Sequence, residues 1–304
     1  MNIFRNILLW ISTNEFLKKK LPHFYFVRKA VKRFMPGETL SEAIEAALNL
    51  NKKNLGIVFT YLGENLTSLS EAEIVKEHYH NVLNEIHTKN IDAEISIKLT
   101  QLGFDISYDK CMNNYEELAE KAKEINSFVW IDMEGSKYTQ STINFYNNVS
   151  KRFSNTGLCL QAYLLRTLDD ILNINPAASI RLVKGAYKEI PEIAYQKKTD
   201  VDKNYFNAAE ILLKNSLHSG GRKVFGTHDI NLINKIKDIA GRLNVKPEFH
   251  MLYGIKTNEQ IKLADAGYKV KDLISYGEAW FPWYMRRLAE RPANVWFVIK
   301  NIFS

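Results

Sequence analysis

Eight short runs of β-branched and apolar residues, separated by longer stretches with helical spacing, constrain this chain more than any other feature. The runs fall at 56–61 (GIVFTY), 93–99 (AEISIKL), 128–133 (FVWIDM), 158–164 (LCLQAYL), 179–184 (SIRLVK), 223–227 (KVFGT), 248–252 (EFHML) and 269–274 (KVKDLI). Between them, apolar residues recur every three or four positions at 72–88, 115–123, 204–217, 232–243 and 258–266. Eight strands alternating with helices are the pattern of a closed (βα)8 barrel, an α/β fold. A doubly wound open sheet also alternates, but it usually has fewer strands and a glycine-rich first turn, and no GxGxxG occurs here. Residues 1 to about 50 read as helical, with Thr39-Leu-Ser-Glu42 a capping box opening the stretch LSEAIEAALNL. The expected organisation is an N-terminal helical segment, 1–50, followed by a barrel, 51–304. With 46% hydrophobic residues in 304, there is ample apolar surface for such a core.

Several function classes are disfavoured at once. No apolar run reaches the 18 or so residues of a spanning helix. The opening MNIFRNILLWIS is short and lacks a small-residue cleavage site, so it does not read as a secretory signal. Cys111 and Cys159 lie far apart without metal spacing and read as free thiols in a reducing compartment. The formal charge of +7 is spread thinly except at Lys18-Lys19-Lys20 and 28–33, and no zinc-finger or single-strand-binding signature accompanies it. Nucleic acid is therefore not an expected partner. Beside that basic cluster, Phe4, Ile7, Leu8, Trp10 and Ile11 give a short amphipathic helix. The pair fits attraction to an anionic membrane surface, so the expected location is cytoplasmic, peripheral on the inner face of the membrane.

Polar residues gather where each run ends: Thr60 and Glu64, Lys98, Asp132 and Glu134, Gln161 and Tyr163, then Arg181, Lys184 and Tyr187. The sixth run ends in Thr227-His228-Asp229, the seventh in His250 to Tyr253, the eighth in Tyr276. Barrel active sites are built from the C-terminal ends of several strands, so this face is where a site is expected. Taken singly, Lys98 and Asp132 also suit an interior ion pair, and His250 a satisfied core histidine. No His, Asp or Glu group has metal spacing, and no Ser or Cys sits in a nucleophile elbow. Donors without metal or nucleophile suit an anionic cofactor and an anionic substrate. Arg181 and Val183 share one strand face, Lys184 takes the other, and Gly185 permits close backbone approach to a ligand. In YGEAWFPWYMRRLAERPAN (276–294), a helix over 280–290 stacks Arg286 on Glu290 at i,i+4 and sets Arg287 at i,i+3 from the same carboxylate. Two guanidinium forks held side by side suit the grip of a substrate carboxylate. Two other classes remain open on these residues: a Schiff-base lyase using Lys98 or Lys184, and a basic binding module without catalysis.

The blocks YLGE (61–64), ISIKLTQLG (95–103), LQAYL (160–164), RLVKGAY (181–187), GTHD (226–229), MLYG (251–254) and YMRRLAERPAN (284–294) resemble, in order, those of the proline dehydrogenase family over about 55–300. The resemblance implies a distorted (βα)8 barrel with noncovalent FAD. It implies oxidation of L-proline to 1-pyrroline-5-carboxylate by hydride transfer to flavin N5, with electrons passed on to a quinone. By matching motif, Arg286 and Arg287 clamp the proline carboxylate and Glu290 pairs with them. Lys98 and Asp132 sit at the proline site, and Tyr187 and Leu252 pack around the ring. Arg181 approaches flavin N5 and Gln161 meets the isoalloxazine. Val183, Lys184, Gly185, Thr227 and His228 hold the rest of the cofactor.

Four positions depart from the family pattern: Thr60 for Asp, Lys188 for Trp, His250 for Gln and Leu273 for Tyr. The Tyr lost at 273 packs over the far side of the proline ring, so Leu273 opens the alternative of a hydroxyproline-oxidising member. The stretch 188–203 is charged and longer than a barrel connection needs, and is expected to form a lid.

Overall fold

The computed structural model describes residues 31–63, 66–217 and 220–290, with Trp10, Asn14 and Phe16 as isolated positions; within 286–290 it describes the helix but not the side chains. Eight parallel strands close into a barrel in chain order: β1 (Gly56–Tyr61), β2 (Ala93–Ile97), β3 (Val129–Ile131), β4 (Thr156–Gln161), β5 (Ile180–Val183), β6 (Lys223–Gly226), β7 (Glu248–Leu252) and β8 (Lys269–Tyr276). β8 pairs back onto β1 with Ile57 opposite Asp272 and Thr60 opposite Ser275, which seals the ring. The (βα)8 barrel expected from the alternation is the fold observed.

Among the described residues, α1 (Leu40–Asn51) precedes the barrel and a helix follows each strand: α2 (Leu69–Thr88), α3 (Tyr108–Glu124), α4 (Thr139–Val149), α5 (Thr167–Asn173), α6 (Lys198–Asn215), α7 (Ile230–Arg242), α8 (Thr257–Asp265) and α9 (Trp280–Glu290). The capping box is present: the Glu42 backbone N–H donates to Thr39 Oγ1 at 3.3 Å, and the Thr39 N–H donates to the Glu42 carboxylate at 3.0 Å. Those hydrogen bonds also hold the Glu42 carboxyl below its usual range.

The outer ring is not assembled from the helices that follow the strands alone. α1 packs against β1 and β8, burying Ala43, Ile44, Ala47 and Leu50 in the main core. It takes the place that the helix after β8 fills in a regular barrel. Released from the wall, α9 lies at the C-terminal ends of the strands, where Trp283 lines the central cavity. Trp280 Nε1 donates to Glu38 at 2.8 Å and Tyr284 packs on Phe34, tying α9 to the segment that leads into α1.

Inside the barrel, period-two alternation stacks three kinds of layer. At the N-terminal end, Arg222 bridges Glu94 (2.8 Å) and Glu248, and Lys271 binds Glu94 (3.1 Å) and Asp92 (2.7 Å). The hydrogen bond from His250 and the Arg222 guanidinium hold the Glu248 carboxyl far below its usual range in spite of burial. Above that ionic floor sits an apolar plug of Val58, Trp130 and Val224, flanked by Phe128 and Leu273. The third layer is the cavity.

Two helices were not expected. The sequence TQSTINFYNNV of α4 is rich in β-branched and Asn residues of low helix propensity, yet Thr142, Ile143, Phe145, Tyr146 and Val149 are buried by it. α5 is only seven residues long. The stretch expected as a lid is shorter than its reading, because Lys198–Lys203 is already the first turn and a half of α6. Cys111 and Cys159 are both buried free thiols. No helix of the described residues is long and apolar enough to cross a membrane. Of the amphipathic and basic segment, Phe4, Ile7, Leu8, Ile11, Lys18, Lys19, Lys20 and Arg28 lie outside the described residues, as does Glu64.

Candidate active site

A cavity of about 860 Å³ opens at the C-terminal ends of the strands. Every strand end supplies a residue to it: Thr60, Lys98 (one past β2), Asp132 (one past β3), Gln161, Val183, Gly226, Leu252 and Ser275. The connections above add Lys184, Gly185, Tyr187, Thr227 and His228. The structure thus brings together every residue expected to hold substrate or cofactor whose side chain is described, whereas Glu134, among the strand-end polar residues, lies off the cavity and accepts from the Thr100 hydroxyl at 2.7 Å. Arg286, Arg287 and Glu290 lie on α9, one to two turns after Trp283, and their side chains are outside the described residues. Tyr276 is not part of the site. The alternation of β8 turns it outward, where its hydroxyl meets His78 Nε2 at 2.8 Å, and Ser275 faces the cavity instead.

At the centre is an ionic cluster. Arg181 and Asp132 form a close ion pair, Ser96 Oγ lies between them at 2.7 Å from Arg181 and 2.9 Å from Asp132, and Lys98 Nζ approaches Asp132 at 4.0 Å. Arg181 is 2% exposed and stacks over the Trp130 ring. Burial alone weakens its hold on the proton, but the carboxylate of Asp132 and the Cys159 thiol outweigh it and raise its pKa. Lys98 and Asp132 do form the interior pair that residue-by-residue reading allowed, and they form it inside the cavity. Ser96 was not singled out, although its place two residues before Lys98 puts it on the same inward face.

A second cluster stands at the rim. Lys184 and Lys198 each bind both Asp202 and Asp229, the longer contacts being 3.2 and 3.3 Å to Asp229. Against the effect of burial, the two lysines hold the Asp229 carboxyl down to about 2. Asp229 is also the N-cap of α7, accepting from the Asn231 N–H.

His250 is buried at the inner wall. Its Nε2 lies 2.9 Å from Glu248, and burial pulls its pKa down to about 4 against the pull of that carboxylate. The ring is therefore neutral near pH 7, with Nε2–H the donor, since a carboxylate only accepts. Its Nδ1 and the Nη1 of Arg181 are buried without a protein partner, and both residues line the cavity. Gly185 has φ +106°, and a Cβ there would collide with the ring of Tyr163. No group of His, Cys, Asp and Glu among the described residues is placed to hold a metal ion.

The family model described as "Proline dehydrogenase" matches residues 43–300. Proline dehydrogenase 1 of Bacillus subtilis subsp. natto is 34% identical over 304 residues, covering 99% of each chain. A proline dehydrogenase of Deinococcus radiodurans is 31% identical over 281 residues, 90% of this chain and 89% of its own. Among solved structures, proline utilization A (PutA) from Bdellovibrio bacteriovorus, inactivated by N-propargylglycine, superposes with a TM-score of 0.78 at 22% identity. That likeness covers 95% of this chain but only 36% of the larger protein, and it concerns the barrel fold.

Proposed function

The chain belongs to the proline dehydrogenase family of oxidoreductases, and from that premise we propose that it oxidises L-proline to 1-pyrroline-5-carboxylate with bound FAD and delivers the electrons to a quinone. The observation that carries this reading is the convergence of all eight strand ends on one cavity with the Arg181–Asp132–Lys98 cluster at its centre.

The residues present fit a flavin nucleotide. The cavity volume lies in the upper range of ligand pockets, and its central polar groups are held in place by ion pairs and hydrogen bonds, as such pockets require. Gly185 leaves backbone exposed at a point where a side chain cannot fit, and the unpartnered nitrogens of Arg181 and His250 offer one donor and one acceptor to a buried ligand. In this reading Gln161, Arg181, Val183, Lys184, Gly185, Thr227 and His228 hold FAD. When bound, FAD supplies the hydride acceptor for the carbon next to the proline nitrogen.

The chain's own work is orientation and charge. Arg286 and Arg287, with Glu290 as counter-ion, fix the substrate carboxylate; a planar fork suits that task better than an ammonium point charge. Lys98 adds a further cation, and Asp132 keeps it and Arg181 in register. Tyr187 and Leu252 pack on the ring and exclude water, so that one carbon is presented to the cofactor in a narrow range of poses. In this reading residues 1–50 are a segment ahead of the catalytic barrel, 51–304, and the basic residues at 18–20 and 28–33 favour the cytoplasmic face of a membrane where a quinone dissolves.

The imine-forming alternative is weaker because Lys98 and Lys184 are engaged by carboxylates. Activated lysines are instead desolvated among apolar groups or set beside another cation. A hydroxyproline-oxidising variant draws support from Leu273, which lines the cavity with an alkyl group where the family has a phenol. The test is the visible spectrum of the purified protein before and after anaerobic L-proline, repeated with trans-4-hydroxy-L-proline. Flavin absorbance that bleaches with proline supports the proposal. Faster bleaching with hydroxyproline moves the substrate to the variant. A colourless protein that does not take up FAD ends the flavoenzyme reading.

A further inference from the structure

The connection between β5 and α6, residues 184–197, crosses the open end of the barrel, and Glu189 ties it to the connection after β3. One carboxylate oxygen of Glu189 accepts from the backbone N–H of Ser136 at 2.8 Å, and the other accepts from the Ser136 hydroxyl at 2.7 Å. Glu189 lines the cavity, two residues after Tyr187. Ser136 follows Asp132 by four residues in the connection that leaves β3. The tether therefore joins the two loops that carry a proposed substrate-packing ring and a proposed substrate-site carboxylate.

On its opposite flank the crossing segment is held differently. The Tyr195 N–H donates to the Tyr163 carbonyl at 2.8 Å, the Leu165 N–H donates to the Ile193 carbonyl at 3.0 Å, and Leu164 bridges Ala194. Tyr187, Ile193 and Val201 pack there against Tyr163, Leu164 and Ala194, a small apolar cluster apart from the main core. Gln196 Nε2 draws the segment together by donating to the Ala194 carbonyl at 2.7 Å and the Glu189 carbonyl at 3.3 Å. Toward β4 the roof thus rests on backbone pairing and apolar contact. Toward β3 it is tied by the Glu189 carboxylate.

We propose that Glu189 is a positioning residue: by bridging the β5 and β3 connections through Ser136, it fixes Tyr187 over the substrate end of the cavity beside Asp132. The inference rests on the reading of proline as substrate. Two donors on one carboxylate make charge-assisted bonds, stronger than neutral ones. They also occupy both oxygens, so each has a donor from the β3 connection.

The holoenzyme is compared with Glu189→Ala, Glu189→Gln, Ser136→Ala and the Glu189→Ala/Ser136→Ala double variant. Four quantities are read: amide hydrogen exchange across 186–197 without ligand, KM and kcat for L-proline, and Kd for a saturated five-membered-ring acid with oxygen in place of the ring nitrogen. With charge-assisted bonds worth a factor of ten or more, Glu189→Ala is expected to raise exchange, KM and Kd about tenfold each, with kcat falling less than about threefold. FAD content and thermal midpoint stay at the parent values, which separates positioning from general damage. Glu189→Gln, which keeps an acceptor oxygen, falls between, and the double variant is no worse than Glu189→Ala because the partner is already lost. Exchange, KM and Kd within about twofold of the parent in Glu189→Ala overturn the proposal. A parent enzyme that neither oxidises proline nor binds the acid instead fails the functional reading, and the exchange comparison still decides whether the tether holds the roof.

Discussion

The backbone N–H of Leu252 donates to Nε2 of His228 at 2.8 Å, so the last residue of β7 is held by a side chain standing two residues beyond the end of β6. Accepting that bond leaves Nε2 without a proton and fixes the neutral ring as the Nδ1–H tautomer. A residue assigned to the cofactor therefore sets the height of a residue assigned to the substrate. His228→Phe fills the same space without the acceptor and strands the Leu252 N–H. The expected cost is about 1–3 kcal/mol in denaturant unfolding together with a raised KM for proline. His228→Gln, which offers an acceptor oxygen, recovers part of both. Identical unfolding curves for His228→Phe and the parent would show that the bond does not hold β7.

Asp272 turns outward from β8 into the layer between barrel and helices, fully buried, with neither carboxyl oxygen hydrogen-bonded. Burial raises its pKa from 3.8 to about 7. The folded state then keeps a proton that the unfolded chain has released, so stability is fully present below about pH 4 and falls as pH rises toward 7. Asp272→Asn has no proton to lose. Its stability relative to the parent is expected to grow by on the order of 2–4 kcal/mol between pH 4 and pH 8, read from urea midpoints across that range. A constant difference across the range would mean that Asp272 is not the group responsible.

Asp132→Asn removes the counter-ion of Arg181 while leaving the guanidinium buried. Breaking a buried pair from one side costs about 3–5 kcal/mol, more than the pair itself contributes. A lower melting midpoint and weaker FAD retention are expected, measured by flavin absorbance after gel filtration. Arg181→Gln in the Asp132→Asn background should restore midpoint but not turnover.

Gly185→Ala places a Cβ at φ +106° against the ring of Tyr163. Backbone strain of about 1–3 kcal/mol is the smaller part of the effect. The larger is displacement of Tyr163 and of the backbone offered to the cofactor, so FAD affinity is expected to fall about tenfold or more by titration of the apoprotein. An unchanged affinity would place the cofactor elsewhere in the cavity.

The barrel was legible because each strand reports itself locally. The runs at 56–61 and 248–252 coincide with β1 and β7, and the helix over 280–290 coincides with α9. α4 was not legible because its helicity comes from burying one face, not from its own residues. The cavity residues were legible wherever strand alternation and a strand end met, as at Lys98, Asp132 and Arg181. Ser96, one step deeper, carries no terminal signal of its own. Glu189 and Ser136 lie 53 positions apart, each an ordinary polar residue in a loop, and nothing short of the closed barrel brings them together.

The position of α1 has a consequence for how the molecule divides its labour. With a helix from before β1 closing the wall, the ring of eight strands is sheathed without calling on α9. The element that carries Trp283, Arg286 and Arg287 is thereby spared from masonry. Substitutions along its length can retune what the mouth accepts while the cylinder beneath keeps its shape.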